Sequence, residues 1–81
     1  MNDNEHLRKI YEIICVGWKL YKNHYHDSPK DWAAIAQEVN QLGAEYDGTP
    51  EEEFANKILV EVLSQMDRDR KADRQRPTLV D

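Results

Sequence analysis

The chain has 81 residues, of which 33% are charged, and a formal net charge of −5. This length allows one small domain with a modest core. The sequence contains no apolar run near the ~20 residues that a membrane span needs, and its acidic balance disfavours binding to a phosphate backbone.

The composition predicts an all-α fold. Helix-forming residues dominate, and only three glycines and three prolines interrupt them. We expect a small antiparallel three-helix bundle that occupies residues 1–69 as a single domain. Residues 70–81 lack apolar periodicity and are predicted to form a disordered tail. The three predicted helices are residues 3–25, 29–46 and 50–69.

The first predicted helix carries two apolar stripes. The main stripe is expected to face the core, and a second stripe, made of Ile13, Val16 and Leu20, lies beside it. Together they cover more of the helix than one neighbouring helix can bury, so either two helices or a second subunit must flank it. We predict a homodimer with Ile13, Val16 and Leu20 at its interface. The main stripe consists of Leu7, Ile10, Tyr11, Ile14, Gly17, Trp18, Tyr21 and Tyr25.

Capping signals delimit the second helix. Ser28 is the predicted N-cap, with Pro29 at the first helical position and Asp31 at the third. Its apolar face runs from Trp32 to Tyr46. A glycine in the left-handed conformation, Gly48, is expected to close the helix.

The third helix repeats this start signal. Thr49 is the predicted N-cap, Pro50 follows, and three glutamates occupy the first turn, where negative charge complements the helix dipole. The glutamates are Glu51, Glu52 and Glu53.

Two glycines, Gly17 and Gly43, lie on the apolar faces of the first and second helices. A glycine inside a helix costs about 1 kcal/mol relative to alanine, so a close approach of two backbones is expected to offset it. We predict that the first and second helices cross at these glycines.

The histidines near the first corner do not predict a metal site. His24 and His26 are two residues apart, and on a helix such side chains point in nearly opposite directions. Histidine near the end of a helix is favoured by the helix dipole. We therefore expect a capping role and no metal or other cofactor.

Catalysis is not indicated either. The sequence has no glycine-rich phosphate loop and no recognisable nucleophile arrangement. The single cysteine, Cys15, borders an apolar arc, which favours a packed thiol over a nucleophile. We predict a non-enzymatic, cytoplasmic protein without a small-molecule substrate, which acts by binding a protein partner.

The alternative function is that of a nucleic-acid-associated regulator. Residues 1–66 contain 6 basic and 12 acidic residues, whereas residues 67–81 contain 5 basic and 4 acidic residues. The second group includes Arg68, Arg70 and Arg74. Its interleaved aspartates weaken the signal, and the three glutamates that open the third helix would repel a phosphate backbone.

Three segments carry a resemblance: "WKLYK", "DWAAIAQEVNQLGAEY" and "FANKILVEVLSQMDR". Over residues 10 to 70 the chain resembles a group of short, uncharacterised helical proteins of Gram-positive bacteria and their prophages or mobile elements. The resemblance implies an accessory protein that binds a component of its host, and it transfers no functional residue. The matching residues are Trp18, Tyr21, Trp32, Tyr46, Phe54 and Arg68.

Overall fold

The computed structural model describes the backbone of residues 3–75 and the side chains up to residue 72. It contains three α-helices: α1 (Asp3–His24), α2 (Trp32–Ala44) and α3 (Glu52–Gln75). No strand occurs within the described range. The predicted all-α fold of three helices is confirmed.

Helix α1 starts at the predicted residue and ends one residue earlier than predicted. Acidic residues open it and Lys22 and His24 close it, as the helix dipole favours. The ammonium group of Lys30 donates hydrogen bonds to the carbonyl oxygens of His24, at 2.7 Å, and Asp27, at 3.3 Å. The predicted cap by histidine is therefore supplied by a lysine from the following loop.

Helix α2 begins at Trp32, later than predicted. Asp31 is its N-cap and accepts a hydrogen bond from the backbone N–H of Ala34 at 3.1 Å. The predicted N-cap, Ser28, is wrong. Asp31 caps the helix because its carboxylate is a charged acceptor, and charge-assisted hydrogen bonds are stronger than neutral ones. Residues 28–30 stay in the loop, with a cis Ser28–Pro29 bond, and Lys30 is thereby free to cap α1.

The link from α2 to α3 also differs from the prediction. After Ala44 the chain continues in turns that are tighter than an α-helix. In one of them the Tyr46 N–H donates a hydrogen bond to the Gly43 carbonyl oxygen at 3.0 Å. Gly48 adopts the predicted left-handed conformation, with φ of 78°. The Thr49 hydroxyl donates to the Tyr46 carbonyl at 2.7 Å and does not cap the helix, so α3 starts at Glu52.

Helix α3 continues to Gln75, beyond the predicted end at residue 69. Asp67 pairs with Arg70 at 2.8 Å and with Lys71 at 3.1 Å, and such pairs three and four residues apart support a helix. The helix therefore continues into the segment that was predicted as a tail, residues 70–81. The rest of the predicted tail, residues 76–81, lies outside the described residues.

Both other helices pack mainly on α3. His6 contacts Glu51 near the starts of α1 and α3, and Tyr21 contacts Asp69 near their ends, so these two helices run in the same direction. Helix α2 runs against them, because Gly43 near its end meets α3 near its start.

The core contains the stripe that was predicted to form a dimer interface. Ile13 and Leu20 are 1% exposed, and Val16 packs against the core cluster. These residues are not available to a second subunit, so the predicted interface is wrong. The buried core residues are Ile13, Leu20, Ile35, Tyr46, Ala55, Leu59 and Met66.

Gly17 on α1 and Gly43 on α2 both face α3. A Cβ on Gly17 would lie 2.7 Å from Ile58 Cγ2, and a Cβ on Gly43 would lie 3.4 Å from Asn56 Oδ1. Both neighbours belong to α3, so the predicted crossing of α1 and α2 at these glycines is wrong. Gly17 instead permits a close approach of α1 to α3.

Candidate interaction surface

A row of large apolar side chains on α1, continued by Tyr25 in the turn directly after it, is exposed to solvent. Their exposed fractions lie between 51% and 67%. We call these residues the α1 stripe. Sequence analysis placed them on the core-facing arc, and the structure corrects that placement, since the neighbouring aliphatic residues occupy the core. The α1 stripe consists of Leu7, Tyr11, Ile14, Trp18 and Tyr25.

The spacing of the α1 stripe is that of a coiled-coil seam. Apolar residues alternate at intervals of four and three along α1, and Tyr21 occupies the step between Trp18 and Tyr25. A repeat of 3.5 residues keeps one face of a helix directed at a partner helix. This spacing was visible in the sequence, but the sequence did not show that α3 leaves the face uncovered.

The exposed apolar area of the α1 stripe is larger than that of single apolar residues scattered over a surface. With on the order of 200 Å² for each complete side chain, the exposed fractions give about 600 Å² of apolar surface. Monomeric proteins rarely expose contiguous apolar patches larger than a few hundred Å², and larger ones mark interaction sites.

A groove between α1 and α3 extends the stripe. It has a volume of about 450 Å³. Its floor is formed by Gly17 and by Ile58 and Val62 of α3, and Glu61 and Gln65 border it on the α3 side. The absence of a side chain at Gly17 therefore deepens the surface next to Ile14 and Trp18.

Tyr21 is the polar anchor at one end of this groove. Its hydroxyl donates a hydrogen bond to Asp69, and Gln65 Nε2 donates to the other oxygen of Asp69 at 2.8 Å. The bond to Asp69 raises the pKa of Tyr21 to about 12. The same bond, followed by that from Gln65, holds the pKa of Asp69 below its usual value. This contact holds the ends of α1 and α3 together.

The far edge of the stripe is polar. Arg8 and Glu12 lie 3.8 Å apart there, and both are exposed. Cys15 is a half-buried free thiol next to Tyr11, and a hydrogen bond with Cys15 raises the pKa of the Tyr11 hydroxyl. The stripe thus lies between a polar edge on α1 and the α3 side of the groove.

The two histidines of the corner have separate structural partners. His24 Nδ1 lies 2.7 Å from Asp27 Oδ2, and His24 Nε2 lies 2.9 Å from Glu38 Oε1. Glu38 first, and then Asp27, raises the pKa of His24. His26 instead packs edge-on against the ring of Tyr25. Among the side chains described, no group of three or more is arranged to hold a metal ion.

One buried carboxylate escaped the sequence analysis. Glu51 is predicted in the first turn of the third helix, but it is 3% exposed and one of its oxygens lies 2.8 Å from His6 Nδ1. Because α3 starts at Glu52, Glu51 lies in the preceding turn, where it contacts His6 of α1. The pair therefore fixes the beginning of α1 against α3.

Among the described side chains near the end of α3, three cations form ion pairs. Arg68 lies 2.5 Å from Glu61, and Arg70 and Lys71 share Asp67. These pairs lie along one helix and place an acidic group beside each of the three cations. This arrangement gives a phosphate backbone little uncompensated positive charge.

Comparison with known proteins gives no match to a family model, to a curated protein or to a solved structure. Within residues 3–75, no helix has both the length and the hydropathy required to cross a membrane.

Proposed function

We propose that this protein acts without catalysis, by protein–protein interaction through the α1 stripe, and that it assembles as a homodimer. The supporting observation is the stripe: five large apolar side chains in coiled-coil spacing, each more than half exposed. Its estimated area of about 600 Å² approaches the roughly 800 Å² that each partner contributes to a standard interface. The groove beside it adds surface to the same interface.

The proposed setting is the bacterial cytoplasm, where the free thiol of Cys15 stays reduced. An accessory role encoded by a prophage or mobile element remains a prediction from the sequence resemblance. In that role the dimer would present its remaining helical faces to a host protein.

The second candidate, a nucleic-acid-associated regulator, has less support. Three of its predicted cations, Arg68, Arg70 and Lys71, are paired with Glu61 and Asp67. Binding to a nonspecific duplex that weakens with salt and disappears on deletion of residues 67–81 would favour this candidate over the first.

The test is the solution mass, measured by light scattering on a sizing column over a hundredfold range of concentration. We expect a dimer for the natural chain and a monomer for Trp18→Lys, because a charge in the centre of the stripe must be desolvated on association. The matched control is Val60→Lys, since Val60 is an equally exposed apolar residue on α3, outside the stripe; this variant should remain a dimer.

Circular dichroism checks that both variants keep their helices. A natural chain that is monomeric throughout would overturn the homodimer proposal. A dimer that persists in Trp18→Lys would show that another face forms the interface.

A further inference from the structure

We infer that the α1 stripe is covered by α1 of a second copy in the antiparallel direction, with the two-fold axis at the level of Val16. This inference rests on the proposed function, because it specifies how the proposed dimer is built. The observation that supports it is the order of large and small side chains along the α1 stripe.

Antiparallel pairing matches large residues with small ones. In a helix pair of this kind, Ile14 meets Trp18 of the second copy, and Leu7 meets Tyr25. Each of these two layers then combines an aliphatic side chain with an aromatic one, which lets them interdigitate at similar thickness. The layer between them joins Tyr11 to Tyr21, whose hydroxyl is already directed at Asp69.

Parallel pairing fits less well. It would place Trp18 against Trp18 and Ile14 against Ile14, so that the layers differ in width along the pair. Uneven layers leave cavities or force side chains from their preferred rotamers, and either outcome is destabilising. Opposed helix dipoles also favour the antiparallel direction.

The least favourable contact of the antiparallel pair involves two cations. Arg8 comes near the level of Lys22 of the second copy. Both side chains are exposed, and Glu12 already lies 3.8 Å from Arg8. Repulsion between such exposed charges is small in water, so packing decides the direction.

The test measures distances between spin labels in the dimer. Labels are attached at Lys19→Cys or at Glu5→Cys, each combined with Cys15→Ser. Both sites are exposed and lie outside the stripe. With a rise of about 1.5 Å per residue, the antiparallel pair separates the two Lys19 positions by about 9 Å along the axis and the two Glu5 positions by about 33 Å.

The expected result is a distance at the Glu5 position that exceeds the distance at the Lys19 position by more than about 10 Å. Nearly equal distances would show a parallel pair and overturn this inference while leaving the proposed dimer intact. An absence of coupling together with a monomer mass would overturn both. Circular dichroism confirms that each labelled variant is folded.

Discussion

At the scale of single residues, Gly17 determines how closely α1 packs on α3. The nearest atom to a Cβ at this position is a methyl group of Ile58, which is β-branched and has little freedom to move. Gly43 also faces α3, but a Cβ there meets Asn56 and Leu59 at ordinary contact distances. The two glycines therefore have different roles, although both lie on apolar faces.

Replacement by alanine should separate these roles. Gly17→Ala is expected to lower the free energy of unfolding by about 1–3 kcal/mol, because the new methyl group overpacks the contact with Ile58. Gly43→Ala should change it by less than about 1 kcal/mol, with helix propensity favouring alanine. Urea unfolding followed by circular dichroism gives both values. Equal effects of the two replacements would contradict this assignment of roles.

The sequence of α1 does not by itself indicate which of its apolar side chains are buried. Periodicity placed both Trp18 and Leu20 on an apolar surface, and each could have been buried by α3 on that evidence alone. The structure buries Leu20 and exposes Trp18. The choice depends on the shape of α3 opposite Gly17, which the pattern of α1 does not contain.

At the scale of helices, the bundle is joined at its ends by polar pairs. His6 and Glu51 join the starts of α1 and α3, while Tyr21 and Asp69 join their ends. Helix α2 makes few contacts with α1, so the bridge from His24 to Glu38 is an important link between them. Sequence reasoning missed these pairs because their members are far apart along the chain.

The His24 bridge predicts a pH dependence of stability. Glu38 and Asp27 raise the pKa of His24 in the folded state, so folding favours the protonated ring. The stabilisation is fully present below the unfolded pKa of about 6.5 and is lost as the pH rises through the higher folded value.

Urea unfolding at pH 6 and pH 9 tests this dependence. The natural chain should lose more stability over this interval than His24→Gln, whose side chain does not titrate. His26→Gln is the matched control, because the ring of His26 packs edge-on against Tyr25. The idea fails if His24→Gln and the natural chain show the same pH dependence.

At the scale of the whole molecule, a small core coexists with an exposed apolar surface of different composition. The core of the described residues is formed mainly by aliphatic side chains, whereas the α1 stripe has three aromatic residues among its five members. A chain this short buries a limited fraction of its surface on folding. Association through the stripe would bury more of it and stabilise the folded chain.

Association should make thermal stability depend on concentration. We expect the Tm of the natural chain to rise with protein concentration, because mass action favours the folded dimer over unfolded monomers. The Tm of Trp18→Lys should be independent of concentration, while Val60→Lys should behave like the natural chain. Calorimetry over a hundredfold concentration range measures all three, and a constant Tm for the natural chain would count against a reversible dimer.

The sequence by itself determined that three helices form and approximately where they lie, because apolar periodicity and the glycine turn at Gly48 are local properties. Only the tertiary structure decided which face of α1 is buried. Both faces are apolar, and the aliphatic one packs on α3 because Gly17 allows the two backbones to approach there. The aromatic face is consequently left in solvent, which makes it the candidate site.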